Sequence, residues 1–249
     1  MKTRGSFPTS NYNTAYIARA WGMHKELEER EKRGFYQFFY LTICGHIESI
    51  LSSVINARLD SINWLLQWDK IPPANYNENN ITSLCDQKTV VESLLKIISA
   101  FENETENAPL GKLIDLHNKI FNKKLSELIG KELYEDLNAV ASLRNLFAHG
   151  RNLFVEFKFD APLTDGEVTL DYNPLKKAFD RLLRAGIINN PSNFNLQNYG
   201  DFLVSFYNDD AFLYFYRAIQ EVEEKLDNSI EFPPERAKRF FVRLPDLEG

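Results

Sequence analysis

Cysteine is almost missing from this chain. Cys44 and Cys85 are the only two in 249 residues, and they stand far apart in no motif. Two isolated thiols build neither a disulfide framework nor a paired-cysteine metal site, and they fit a reducing compartment better than an oxidising one. A glycine-rich phosphate loop, an HExxH helix and a nucleophile elbow are also missing, so no metal and no nucleotide cofactor is expected. Cationic excess is lacking as well: 29 Lys and Arg face 35 Asp and Glu, a net charge of −6. A general coat for DNA or RNA is usually basic, so that class is excluded, whereas a nuclease needs only a local basic patch. Residues 1–20 hold no apolar signal core, and no run approaches the roughly 18 apolar residues of a membrane span. The expectation is a cytoplasmic protein with no membrane partner. No internal repeat is evident. What is present is 44% hydrophobic and 26% charged, enough to bury a substantial core.

The apolar residues recur mostly at helical spacing. Tyr16–Arg33 reads as a helix with a solvated charge block from Lys25. Phe35–Trp68 is the longest helical stretch, its broad stripe running from Ile43 to Leu66. His46 and Glu48 on it point about 160° apart and read as surface or interface residues. Asp69–Asp86, with Pro72, Pro73 and several asparagines, reads as a loop. Gln87–Phe101 carries Val90, Leu94, Ile97, Ile98 and Phe101 in helical register, and Pro109 starts the next helix. His117 lies on that helix's apolar stripe and reads as a satisfied core histidine. Leu125–Gly130 reads as a short helical bridge.

Lys131–Arg151 is an amphipathic helix ending in a polar cluster. Leu133, Leu137, Val140, Leu143 and Phe147 form its stripe, and Gly150 stands at a C-cap position. Beyond it the period changes from helical to alternating. Val155, Phe157 and Phe159, then Val168, Leu170 and Tyr172, predict a β-hairpin turning at Asp165-Gly166. Leu175–Ala185 reads as a helix closed by Gly186, and Ile187–Gly200 as an asparagine-rich loop. Asp201–Asp227 is largely helical, with a core stripe of Phe212, Phe215, Tyr216, Ile219, Val222 and Leu226. The fold class expected is all-α: an up-and-down bundle of about five or six helices with a β-hairpin after the motif helix. It is read as a single domain over 1–249, its core at about 35–228 and its ends, 1–15 and 231–249, peripheral.

Arg144-Asn145-Leu146-Phe147-Ala148-His149 resembles the Arg-X4–6-His motif of HEPN domains, including the polar residue after the arginine. Those domains are small helical bundles, commonly dimeric, and many are metal-independent ribonucleases of toxin–antitoxin and phage-defence systems. The segment Pro109–Ile114 with Arg144–Gly150 is similar also to the mannitol-operon repressor family, which is helical and regulatory. The resemblance covers roughly residues 35–150. It implies Arg144, Asn145 and His149 as catalytic residues, RNA as substrate, a homodimer, and an antitoxin or regulatory protein as a further partner. Toxins of this class silenced by nucleotide transfer onto a tyrosine carry it two positions after the histidine. Here that position is Arg151, which is read instead as substrate-binding.

The residues allow this chemistry on their own terms. A histidine titrates near neutrality and can move a proton, and an arginine presents a planar fork that suits phosphate. Together they suit attack of an RNA 2′-hydroxyl on its own phosphate. Five positions along a helix turn by about 500°, so Arg144 and His149 lie roughly 140° apart, which favours a site completed at a two-fold axis. Leu146 and Phe147, apolar beside the polar cluster, are expected to be covered by the partner. The plainer readings stay open: the histidine as an ordinary helix-end residue, the arginine as an ion-pair partner, and the chain as a non-catalytic helical regulator.

Overall fold

In a computed structural model, residues 10–66, 81–148, 175–188, 204–229 and 243–247 are described. Among them the chain is helical, with no strand: α1 (Ser10–His24), α2 (Glu29–Leu66), α3 (Ile81–Thr105), α4 (Leu110–Phe121), α5 (Leu125–Ile129), α6 (Lys131–Ala148), α7 (Lys176–Arg184) and α8 (Asp209–Ser229). The all-α reading therefore stands. The hairpin expected at 153–172 lies outside the described residues.

The chain divides into two compact units, one from Met1–Phe7 and Glu48–Lys124, the other from Pro8–Ile47 and Leu125–Gly249. In the first, Leu51, Val54, Ile55 and Leu59 in the second half of α2 are buried, as are Leu113, Ile114 and Leu116 of α4. Pro109 caps α4 in an extended conformation, and its carbonyl accepts the first helical bond, from Leu113 N–H at 3.1 Å. One orphan donor of that helix start, Leu110 N–H, is taken by Glu48 Oε1 at 3.0 Å. Asn122, in the left-handed region at φ 49°, ends the helix. α3 starts earlier than its periodicity suggests, at Ile81, inside the stretch expected as a loop to Asp86. Of its stripe, Ile98 is buried, but Val90 and Ile97 are 56% and 52% exposed.

In the second unit α6 packs on α5, α7 and α8. Gly130, at φ 93°, makes the turn from α5 into α6, a conformation that glycine adopts without a Cβ penalty. α7 closes as expected on Gly186 at φ 71°: Gly186 N–H reaches Leu183 O at 3.1 Å and Ile187 N–H reaches Leu182 O at 3.0 Å, the paired bonds of a Schellman ending. Within the stretch read as largely helical, α8 starts at Asp209, because Asn208 Oδ1 accepts Ala211 N–H at 2.8 Å and fixes the N-cap there. Its six stripe residues are all buried. Phe212 sits against Trp21, Phe39 and Tyr40 with ring centroids 4.9–5.7 Å apart, so these aromatics build the core.

One helix bears on the expectation that the chain spans no membrane. Within Glu29–Asn63 of α2, one 18-residue window reaches a mean hydropathy of 1.5, enough to pass as a membrane span by length and composition. No uninterrupted apolar run occurs there, but its scattered polar residues leave the average high. Of that apolar window 61% is buried inside the protein, as in a core helix.

Candidate functional site

The last turn of α6 carries Arg144 and Asn145, and the described part of the helix ends at Ala148. Leu133, Leu137, Val140 and Leu143 are buried, so the stripe anchors the helix as its period implies. Arg144 Nη1 donates to Asn145 Oδ1 at 3.1 Å on the exposed side. The amide thus orients the guanidinium through its side-chain oxygen. His149 and Arg151, the other two residues the motif nominates, lie outside the described residues. The structure therefore brings together Arg144 and Asn145 of the four.

The two apolar residues of the motif are accounted for within the chain. Leu146 is buried. The Phe147 ring stacks on Tyr40 with centroids 5.7 Å apart and leans on Tyr207 at 5.9 Å. Tyr40 is itself fixed by its hydroxyl on Phe206 O at 3.1 Å, and Tyr207 accepts from Gln37 Nε2 at 3.1 Å. Leu146 is thus covered within the chain, and Phe147, half-buried, is partly covered by the aromatic layer. That layer fixes the end of α6 and hence the turn on which Arg144 stands.

Three buried polar clusters in this unit escaped the sequence reading. Arg181 of α7 is 6% exposed and grips Asp136 of α6 with two parallel bonds, Nε to Oδ1 at 2.6 Å and Nη2 to Oδ2 at 3.0 Å. Its Nη1 reaches Glu132 and, at 3.2 Å, Glu135. Tyr214 of α8 donates to Asp136 Oδ1 at 2.9 Å, tying three helices together. Burial alone would lower the Arg181 pKa, but the bonds from Asp136 and Glu132 outweigh it and raise the pKa. The signal was in the sequence: Asp136 lies three after Leu133 and four before Val140, a charge on the apolar stripe.

Near α1, His24 directs Nδ1 at Trp21 O, 2.5 Å away, and Nε2 at Asp209 Oδ1, 2.9 Å away, while Tyr36 donates to the same carboxylate oxygen at 2.5 Å. Burial works to raise the Asp209 pKa, yet the Tyr36 and His24 bonds hold it below its ordinary value. The third cluster corrects the surface reading of His46. That ring is buried, with Nε2 on Glu223 Oε1, while Glu223 Oε2 accepts Leu244 N–H at 3.2 Å.

His117, in the other unit, is a core histidine as expected, stacked on Phe121 at 4.6 Å. It is not fully satisfied, since its Nδ1 has no hydrogen-bond partner among the described residues. Burial holds its pKa below the usual histidine value.

Comparison with protein-family models, with curated proteins and with solved structures gives no match.

Proposed function

We propose that this chain is a HEPN-type endoribonuclease of a toxin–antitoxin or phage-defence system, acting as a cytoplasmic homodimer and needing no metal. The observation that carries the reading is the pairing of Arg144 with Asn145 near the end of a packed helix, where Arg144 Nη1 donates to the Asn145 amide oxygen at 3.1 Å on the exposed side. A guanidinium oriented in this way suits a phosphate, whose oxygens match its planar fork. In the proposed reaction the RNA 2′-hydroxyl attacks the adjacent phosphorus, the bond to the 5′ oxygen breaks, and a 2′,3′-cyclic phosphate and a 5′-hydroxyl result. His149 moves the protons, Arg144 stabilises the charge gathering on phosphorus, Asn145 orients the arginine, and Arg151 holds substrate.

The test is induced expression of the chain beside its His149→Ala variant at matched protein levels. Growth arrest with fragmented RNA is expected from the first alone. Equal growth with intact RNA in both would favour the regulatory reading.

A further inference from the structure

Two polar helix faces meet at a cleft that the proposed reaction does not use. Along α6, Lys131, Tyr134, Glu135 and Asn138 follow one another at steps of three, one and three, which places them on a single side. Along α7, Lys177, Asp180, Arg181 and Arg184 do the same. The two faces enclose a cleft of about 550 Å³, within the size range of small-molecule sites.

The charges in this cleft divide into spent and unspent. Glu135 accepts from Arg181 and from Arg184, each at 3.2 Å, and Asp180 accepts from Lys176 at 3.1 Å. Both carboxylates and both arginines are thereby engaged. Lys131 and Lys177, by contrast, make no hydrogen bond or ion pair among the described residues, and both are exposed. Asn138 gives its Nδ2 to Tyr134 O at 2.7 Å, which leaves its side-chain oxygen as the acceptor towards a ligand.

We propose that this cleft binds a small phosphorylated molecule, with the ammonium groups of Lys131 and Lys177 on the phosphate. The type of cation selects the ligand class. Planar carboxylates are best matched by an arginine fork; that of Arg181 is occupied, and Arg184 is turned to Glu135 through Nη1. An ammonium is a compact point charge with three donors that suits the many oxygens of a phosphate at any approach angle. The neighbouring Glu135 and Asp180 repel any anion that does not reach both lysines, so a ligand with two or more negative charges is favoured over a monoanion. Tyr134 supplies a flat wall and Asn138 an acceptor for the uncharged part. The site is independent of the Arg144 chemistry and stands whether or not the chain cleaves RNA.

Calorimetric titration with inorganic phosphate and with pyrophosphate, at constant ionic strength, tests the assignment. Saturable binding at one site per chain is expected, tighter for pyrophosphate. The double variant Lys131→Ala, Lys177→Ala should weaken it about tenfold or more, since two charge-assisted contacts are removed from exposed positions that the fold does not need. Lys225→Ala, at a neighbouring cleft, should leave it within about twofold. Absence of saturable binding, or equal weakening by Lys225→Ala, would overturn the proposal.

Discussion

The side chains of this protein sort by what their charge is used for. Arg181 and Asp136 form a two-bond pair that water scarcely reaches. Removing one partner strands the other, so Asp136→Ala should cost about 3–5 kcal/mol, measured by denaturant unfolding. Arg144 is used differently, and the proposed grip on phosphate makes a specific demand of it. Arg144→Lys keeps the charge but loses the fork, so its RNA cleavage should fall nearly as far as that of Arg144→Ala. Full activity in the lysine variant would mean that a point charge suffices. His117 gives a pH signature. Its pKa is lowered in the fold by burial, so below about pH 6.5 the unfolded chain binds a proton that the folded chain refuses. Stability contributed there is full above that pH and lost as pH falls towards the lowered value. His117→Phe, which keeps an aromatic ring beside Phe121, should flatten this part of the stability–pH curve. An unchanged curve would remove the assignment.

At the scale of elements, the sequence was legible wherever local chemistry decides. The α6 stripe, the aromatic core face of α8, the Pro109 start of α4 and the Gly186 stop of α7 follow from periodicity and cap residues alone. Long-range pairing was not legible in the same way. Nothing local announces that Glu48 caps α4, that His46 meets Glu223, or that Phe147 is covered by Tyr40 and Tyr207. The charged residues on apolar stripes, Asp136, Arg181 and Glu223, were the available hint, but position alone does not give the partner. The break before α8 was not legible, because the Asn208 cap interrupts a helical pattern that continues upstream of it. Asn208→Ala should therefore cost about 0.5–2 kcal/mol in the same unfolding assay. Of the candidate site, the helix and its arginine–asparagine ending were readable, and the aromatic layer that steadies them was not.

For the whole molecule, the net charge of −6 requires that the proposed RNA binding be local. Leu146 is buried within the chain and Phe147 is half-buried there, so the case for a dimer rests on the sequence spacing, which on an ideal helix sets Arg144 and His149 apart around the axis. Light scattering at micromolar concentration should give about twice the monomer mass, and a monomer with full activity would remove the two-fold site. The most direct test of the central claim uses purified protein, a defined RNA and excess EDTA, with mass spectrometry of the fragment ends. The account predicts cleavage that persists in chelator, gives 2′,3′-cyclic phosphate and 5′-hydroxyl ends, and vanishes in His149→Ala. Cleavage that requires magnesium, fragments with 5′-phosphates, or RNA left intact by the unaltered chain would contradict it.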